Sequence, residues 1–182
     1  MRTSRRAGFV AAAISTAIPI AFALAPDGAV AAPSFAHWSQ RSLTVSDRTG
    51  DPGWQQATRR AVATWNTAGA NVRLSWVEGG VGCQPEGTTI PVCRDTLPAG
   101  WKGAVAISTA PDGHLGGARI RFAAERSFTQ AERHTVACHE LGHALGLDHS
   151  GSSASCLTQE SLSTVPDAQD VGSLRASYAH QG

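Results

Sequence analysis

Methionine is nearly missing from this chain: the only one is Met1. Charge is sparse too, at 16% Asp, Glu, Lys and Arg, and the signs nearly cancel to a formal net charge of +1. Binding a polyanion draws on Lys and Arg to neutralise phosphates, so nothing in this charge balance points to nucleic acid or an acidic membrane surface, and neither is expected as a partner. The four cysteines, Cys83, Cys93, Cys138 and Cys156, show no C-x-x-C spacing, which argues against a cysteine-ligated zinc site. After residue 32 no internal repeat or low-complexity tract stands out, so a repeat architecture is excluded as well.

What is present suffices for one domain with a core: 182 residues, 42% of them hydrophobic. The N-terminus reads as something apart. Arg2, Arg5 and Arg6 form a basic n-region, Ala7 to Ala25 carries no charge, and Val30-Ala31-Ala32 fits an A-x-A-like cleavage site. Together they read as a secretory signal peptide, residues 1–32, leaving a slightly acidic mature domain at 33–182. Pro19 and the short Ala-rich stretch argue against a membrane anchor. Arg5-Arg6 hints at the twin-arginine route, although the residues that follow match that signal poorly. The expected location is secreted and extracellular, where an even number of cysteines predicts disulfides. Of three possible pairings, Cys83–Cys93 is favoured because it closes a short Gly- and Pro-rich loop; Cys138–Cys156 then brackets a histidine motif.

Period-two alternation predicts strands at Ser42 to Ser46 and Asn71 to Val77, and further strand candidates lie at Ala104 to Ser108 and Ala118 to Ala123. Trp54, Ala57, Ala61, Val62 and Trp65 recur at helical spacing, predicting a helix over 53–68 that Asp51 or Gly53 could cap and Gly69 ends. Residues 79–100 read as a long loop. Helical character returns from Ala131 to Leu145, and Pro166 is expected to open a last helix with Val171, Leu174 and Tyr178 on one face. The order β, α, β, β, β, α, loop, α predicts an α+β domain, one twisted sheet with helices packed on it.

Residues 139–149 read His-Glu-Leu-Gly-His-Ala-Leu-Gly-Leu-Asp-His. Positions i and i+4 share a helix face, so His139 and His143 can aim imidazole nitrogens at one ion. Zinc favours nitrogen or sulfur ligands in tetrahedral geometry, and a catalytic site keeps one position open for water. Glu140, next to the first ligand, can then take a proton from a zinc-activated water as general base. Gly146 sits where a left-handed residue would stop the helix, and His149 follows as the third ligand. H-E-x-x-H alone arises by chance in roughly one such chain in a hundred; Gly146 and His149 lower that by about a thousandfold.

This stretch resembles the extended zinc signature of the metzincin metallopeptidases, and the run Ala144-Leu145-Gly146-Leu147 is most similar to the matrixin branch, the matrix metalloproteinase-like enzymes. The resemblance implies a single zincin-like catalytic domain with a mostly parallel sheet. It implies zinc on His139, His143 and His149, Glu140 as base, and hydrolysis of peptide bonds in protein or peptide substrates. Structural calcium is compatible with it, though no residue specifies that ion, and a monomer is expected. The family places a methionine in a tight turn beneath the metal; here Leu157, in Ser155-Cys156-Leu157-Thr158, takes that position. No cysteine-bearing propeptide fits between Ala32 and the first strand, which implies that the enzyme is made active or is restrained by another protein. By resemblance, residues 158–165 would wall a specificity pocket.

The substrate is expected to bind as an extended strand on a sheet edge, with Gly113 to Arg121 as the candidate edge. Asp148 has two readings, orienting a ligand or lying in a solvated turn. Asp170 has two as well, anchoring the turn or placing favourable charge at a helix start. His37, His114, His134 and His180 lack metal spacing and read as ordinary polar residues, and the five tryptophans as mostly core. Two rivals to the endopeptidase remain: a catalytically impaired, zinc- and peptide-binding module of the same fold, motivated by the lost methionine, and a zinc hydrolase of some other amide.

Overall fold

The computed structural model describes residues 36–179. The expected signal peptide at 1–32 and His180 lie outside the described residues.

The first strand, β1 (Ser42–Asp47), leads into α1 (Pro52–Ala68). Asp51 caps α1 by accepting hydrogen bonds from the backbone N–H of Gly53 and Trp54, Pro52 sits in the first turn, and Gly69 ends the helix at φ 73°. The buried face of α1 is Trp54, Ala57, Thr58, Ala61, Val62 and Trp65, which includes the whole apolar stripe expected from its spacing. Each large side chain removed from water there contributes roughly 1.5–3 kcal/mol. Then come β2 (Arg73–Glu78), β3 (Thr89–Asp95), β4 (Gly103–Thr109) and β5 (Leu115–Ala123), followed by α2 (Gln130–Ala144) and α3 (Ala168–Ser177).

The five strands form one sheet in the order β2-β1-β3-β5-β4. Pairings β1–β2, β1–β3 and β3–β5 are parallel and β4–β5 is antiparallel, so the sheet is mostly parallel as the resemblance implied. The helices cover it: the Trp54 ring stacks on Phe122 of β5 at 3.9 Å, and the Trp65 indole N–H donates to Cys138 O of α2 at 3.1 Å.

The structure corrects three expectations. The expected loop at 79–100 contains β3, which lies in the middle of the sheet. Pro91 had disguised it, because proline cannot donate to a ladder. Here Pro91 stands one residue before the pairing to β5 begins at Val92↔Ile120, so no rung of that ladder is lost. Gly113 to Arg121 is not an edge: β5 runs between β3 and β4, and the outer edge on that side belongs to β4. The last helix begins at Ala168 rather than Pro166, because Asp167 and Asp170 form a reciprocal capping box that sets the start. Both favoured disulfides are present, Cys83–Cys93 and Cys138–Cys156. Trp38, Trp54 and Trp65 are core residues, whereas Trp101 is 53% exposed. Among the described residues no helix is long and apolar enough to cross a membrane.

Candidate metal centre and active site

Helix α2 carries His139, Glu140 and His143. Thr129 caps it and shares a capping box with Glu132, so its start is held at both partners. Its end is a left-handed stop of the expected kind. Gly146 has φ 99°, its N–H donates to His143 O at 3.0 Å, and Leu147 N–H donates to Gly142 O at 3.1 Å. A side chain at Gly146 would be held in a strained conformation and would meet Ala36 O at 2.5 Å. The chain therefore reverses here and returns His149 toward the helix.

His139, His143 and His149 converge, with one ligating nitrogen from each within 4.8 Å of the others. The rings of His139 and His143 are oriented by main-chain carbonyls. Their Nδ1 atoms lie 2.8 Å from Cys156 O and Leu147 O respectively. A carbonyl can only accept, so each Nδ1 carries the proton and each Nε2 of a neutral ring presents a lone pair. Those two Nε2 atoms are 3.0 Å apart. Two lone pairs facing at that distance repel unless a cation lies between them, which is the donor chemistry of a zinc site. Burial, the neighbouring imidazoles of His143 and His149, and a partly opposing Cys156 carbonyl bring His139 down to about 4. Burial also lowers His143. Both rings are thus neutral, the form that binds a metal.

Glu140 is 6% exposed and burial pushes its carboxyl up to about 8. It lies against the first residue of β4: a Cβ built on Gly103 would meet Glu140 Oε1 at 2.5 Å.

Beneath the helix runs the turn at 155–158. Leu157 is fully buried, and the Cys138–Cys156 disulfide ties this turn to α2. The Ser155 hydroxyl donates to Asp170 Oδ2 at 2.5 Å and accepts from Leu157 N–H at 2.8 Å. Both readings of Asp170 hold, since it anchors the turn and also lies in the first turn of α3 as part of its capping box; Ser155 is the link that sequence reasoning missed. A Ser at i and an Asp fifteen residues on leave no periodic signal. Asp148 Oδ1 accepts from the backbone N–H of His149 at 2.7 Å but lies 4.0 Å from that ring's Nδ1, so it caps the turn rather than holding the ring.

A cavity of about 220 Å³ opens beside His143, lined by Val105 and Ile107 of β4 and by Gly146, Leu147 and Asp148. Residues 158–165 form a separate loop that returns to the turn, with Cys156 N–H donating to Val165 O at 2.8 Å and Leu162 92% exposed. The other histidines stand elsewhere. His37 and His114 meet edge to face at 5.1 Å, His114 lies 3.2 Å from Asp112, and His134 contacts Gln130.

Residues 93–174 match the model of the matrixin family, a span that runs from the end of β3 to α3 and includes the whole site. A crystal structure of myroilysin aligns over 79% of this chain and 86% of that chain, with a TM-score of 0.50 at 16% identity, a likeness of fold. Over residues 93–174, a little under half of its length, the chain is similar to the matrixins. A second myroilysin structure aligns over 63% of this chain and 45% of that chain, with a TM-score of 0.40 at 23% identity. A search of curated proteins finds no significant match. The similarity to the matrixins supports a zinc metallopeptidase, and the three converging imidazoles fit the metal of that class.

Proposed function

We propose that this protein is a matrixin-like secreted endopeptidase that holds one zinc ion on His139, His143 and His149 and uses Glu140 as general base. The observation that carries the reading is the convergence of three imidazoles, two of them fixed as Nε2 donors by main-chain carbonyls, next to a buried carboxyl. When bound there, zinc polarises the scissile carbonyl and makes water acidic enough to deprotonate near neutral pH. Glu140 receives the proton on a carboxylate oxygen and passes it to the leaving amine.

The outer edge of β4 supports an extended peptide, because its backbone groups on that side have no strand partner among the described residues. Val105 and Ile107 would then offer an apolar wall to one substrate side chain in the cavity beside His143. The signal peptide at 1–32 and the two disulfides support export to an oxidising space.

The test is cleavage of casein or gelatin by the purified mature chain, with and without a zinc chelator, beside Glu140→Gln. Cleavage by the wild type, lost on chelation and reduced about 10²- to 10⁴-fold in Glu140→Gln, is expected. Elemental analysis should find one zinc per chain in both proteins. Stoichiometric zinc without cleavage by the wild type would instead favour the peptide-binding module. N-terminal sequencing of exported material should begin after Ala32.

A further inference from the structure

Gly103 is the first residue of β4, and its backbone does not require a glycine. Its φ lies outside the left-handed region, unlike that of Gly100 at +91° or Gly113 at +87°, where nothing stands within 4 Å of the position a Cβ would take. At Gly103 the situation is reversed. A Cβ there would lie 2.5 Å from Glu140 Oε1, 2.7 Å from Cγ and 2.8 Å from Cδ, all closer than the 3.0 Å that real Cβ atoms respect. The missing side chain, not torsional freedom, is what the site uses.

The strand cannot retreat. Gly103 pairs with Phe122 of β5, the Ala123 N–H donates to Lys102 O at 3.1 Å, and both Phe122 and Ala123 are buried. Helix α2 cannot retreat either, since Cys138 is tied by its disulfide and its carbonyl receives the Trp65 indole. The one movable partner is the end of the Glu140 side chain. Rotating the carboxyl alone gives no relief, because Cγ is as crowded as the oxygen.

We propose that Gly103 is a positioning residue for the peptidase reaction: its bare backbone reserves the space in which the Glu140 carboxylate sits. The proposal rests on the reading of Glu140 as the base. It predicts that added bulk at 103 displaces the carboxylate while leaving the histidines and the fold in place. A displacement near 1 Å at a reacting group lowers turnover by as much as about 10²-fold.

The experiment compares wild type, Gly103→Ala, Glu140→Asp, Glu140→Gln and the double variant Gly103→Ala/Glu140→Asp, all zinc-loaded, on one peptide substrate. Gly103→Ala should lower kcat by about ten- to a hundredfold with KM within about twofold, one zinc per chain and an unchanged melting temperature. Added to Glu140→Asp, whose side chain is one methylene shorter, the same change should lower kcat far less than it does in the wild type. A crystal structure of the zinc-loaded Gly103→Ala variant should show the carboxylate moved and the three imidazoles unmoved. Wild-type kcat in Gly103→Ala, an unmoved carboxylate, or equal losses in both backgrounds would overturn the inference. Glu140→Gln cleaving like wild type would remove the base itself and this inference with it. A silent Gly103→Ala beside an inactive Glu140→Gln overturns this inference alone. If Gly103→Ala fails to fold, adding Glu140→Ala decides the matter: restored folding locates the clash at that side chain, and continued misfolding overturns the proposal.

Discussion

Leu157 fills the floor beneath the ligand helix where matrixin-like sequences are expected to place methionine. It is fully buried, and a Cβ on Gly142 would meet Leu157 Cδ2 at 2.7 Å and Trp65 Cζ2 at 2.9 Å. Glycine on the helix, leucine in the turn and tryptophan on α1 therefore close against one another. The contact is apolar, so what matters is volume, and leucine and methionine differ little in it. Leu157→Met is expected to change stability by less than about 1.5 kcal/mol and kcat by no more than a few-fold. Leu157→Ala leaves a cavity and should cost about 2–5 kcal/mol. Thermal denaturation and a peptide assay check both, and a large gain in turnover from Leu157→Met would mean that the sulfur atom, not the volume, is what this turn lacks. The convergence of His139 and His143 was legible because their spacing is set by the helix: i and i+4 lie on one face whatever the rest of the chain does. Ser155 was not legible, since its role exists only when α3 brings Asp170 to the turn.

The turn at 155–158 and helix α3 behave as one device. Asp170 Oδ2 accepts both the Ser155 hydroxyl and the Asp167 N–H, so a single oxygen joins the floor of the site to a helix cap. Burial raises the Asp170 carboxyl above its ordinary value of 3.8, against the lowering effect of the hydrogen bonds from Ser155 and Asp167. An acid raised in this way stabilises the fold fully below its unfolded pKa, and that contribution is lost as pH rises through the folded value. Asp170→Asn keeps an acceptor and cannot ionise. Its melting temperature relative to wild type is therefore expected to improve as pH rises from about 3 to 7. The measurement uses metal-free protein, so that metal binding adds no pH dependence of its own; the opposite slope would mean that the fold prefers the anion. At this level the sequence was partly legible. The stripe on α1, the Gly146 stop and the strands at 42, 73 and 103 follow from local periodicity and turn chemistry. The β3 strand was hidden by Pro91, and the start of α3 by a Pro166 that stands just before an Asp167 cap.

In the whole molecule the three histidines are held from three directions. Two sit on α2, one returns after the Gly146 reversal, and the carbonyl that orients His139 comes from a turn fixed by α3. Metal binding should therefore stabilise the folded state as a unit. At a free zinc concentration about 100 times Kd, the gain is about 2.7 kcal/mol, which for a domain of this size raises the melting temperature by roughly 5–10 °C. Scans with zinc and with a chelator check it, and equal melting temperatures would count against a zinc site of useful affinity. The candidate chemistry could be read from residues 139–149 without any fold, because ligand type and helical spacing are local quantities. Which strand forms the edge of the sheet could not, since pairing order depends on contacts between residues far apart in the chain, and it places β4, not β5, at that edge. The same holds for the seat of the Glu140 carboxylate. The motif supplies the carboxylate, but the room for it is left by a glycine 37 positions earlier, brought there by a sheet packed under a helix.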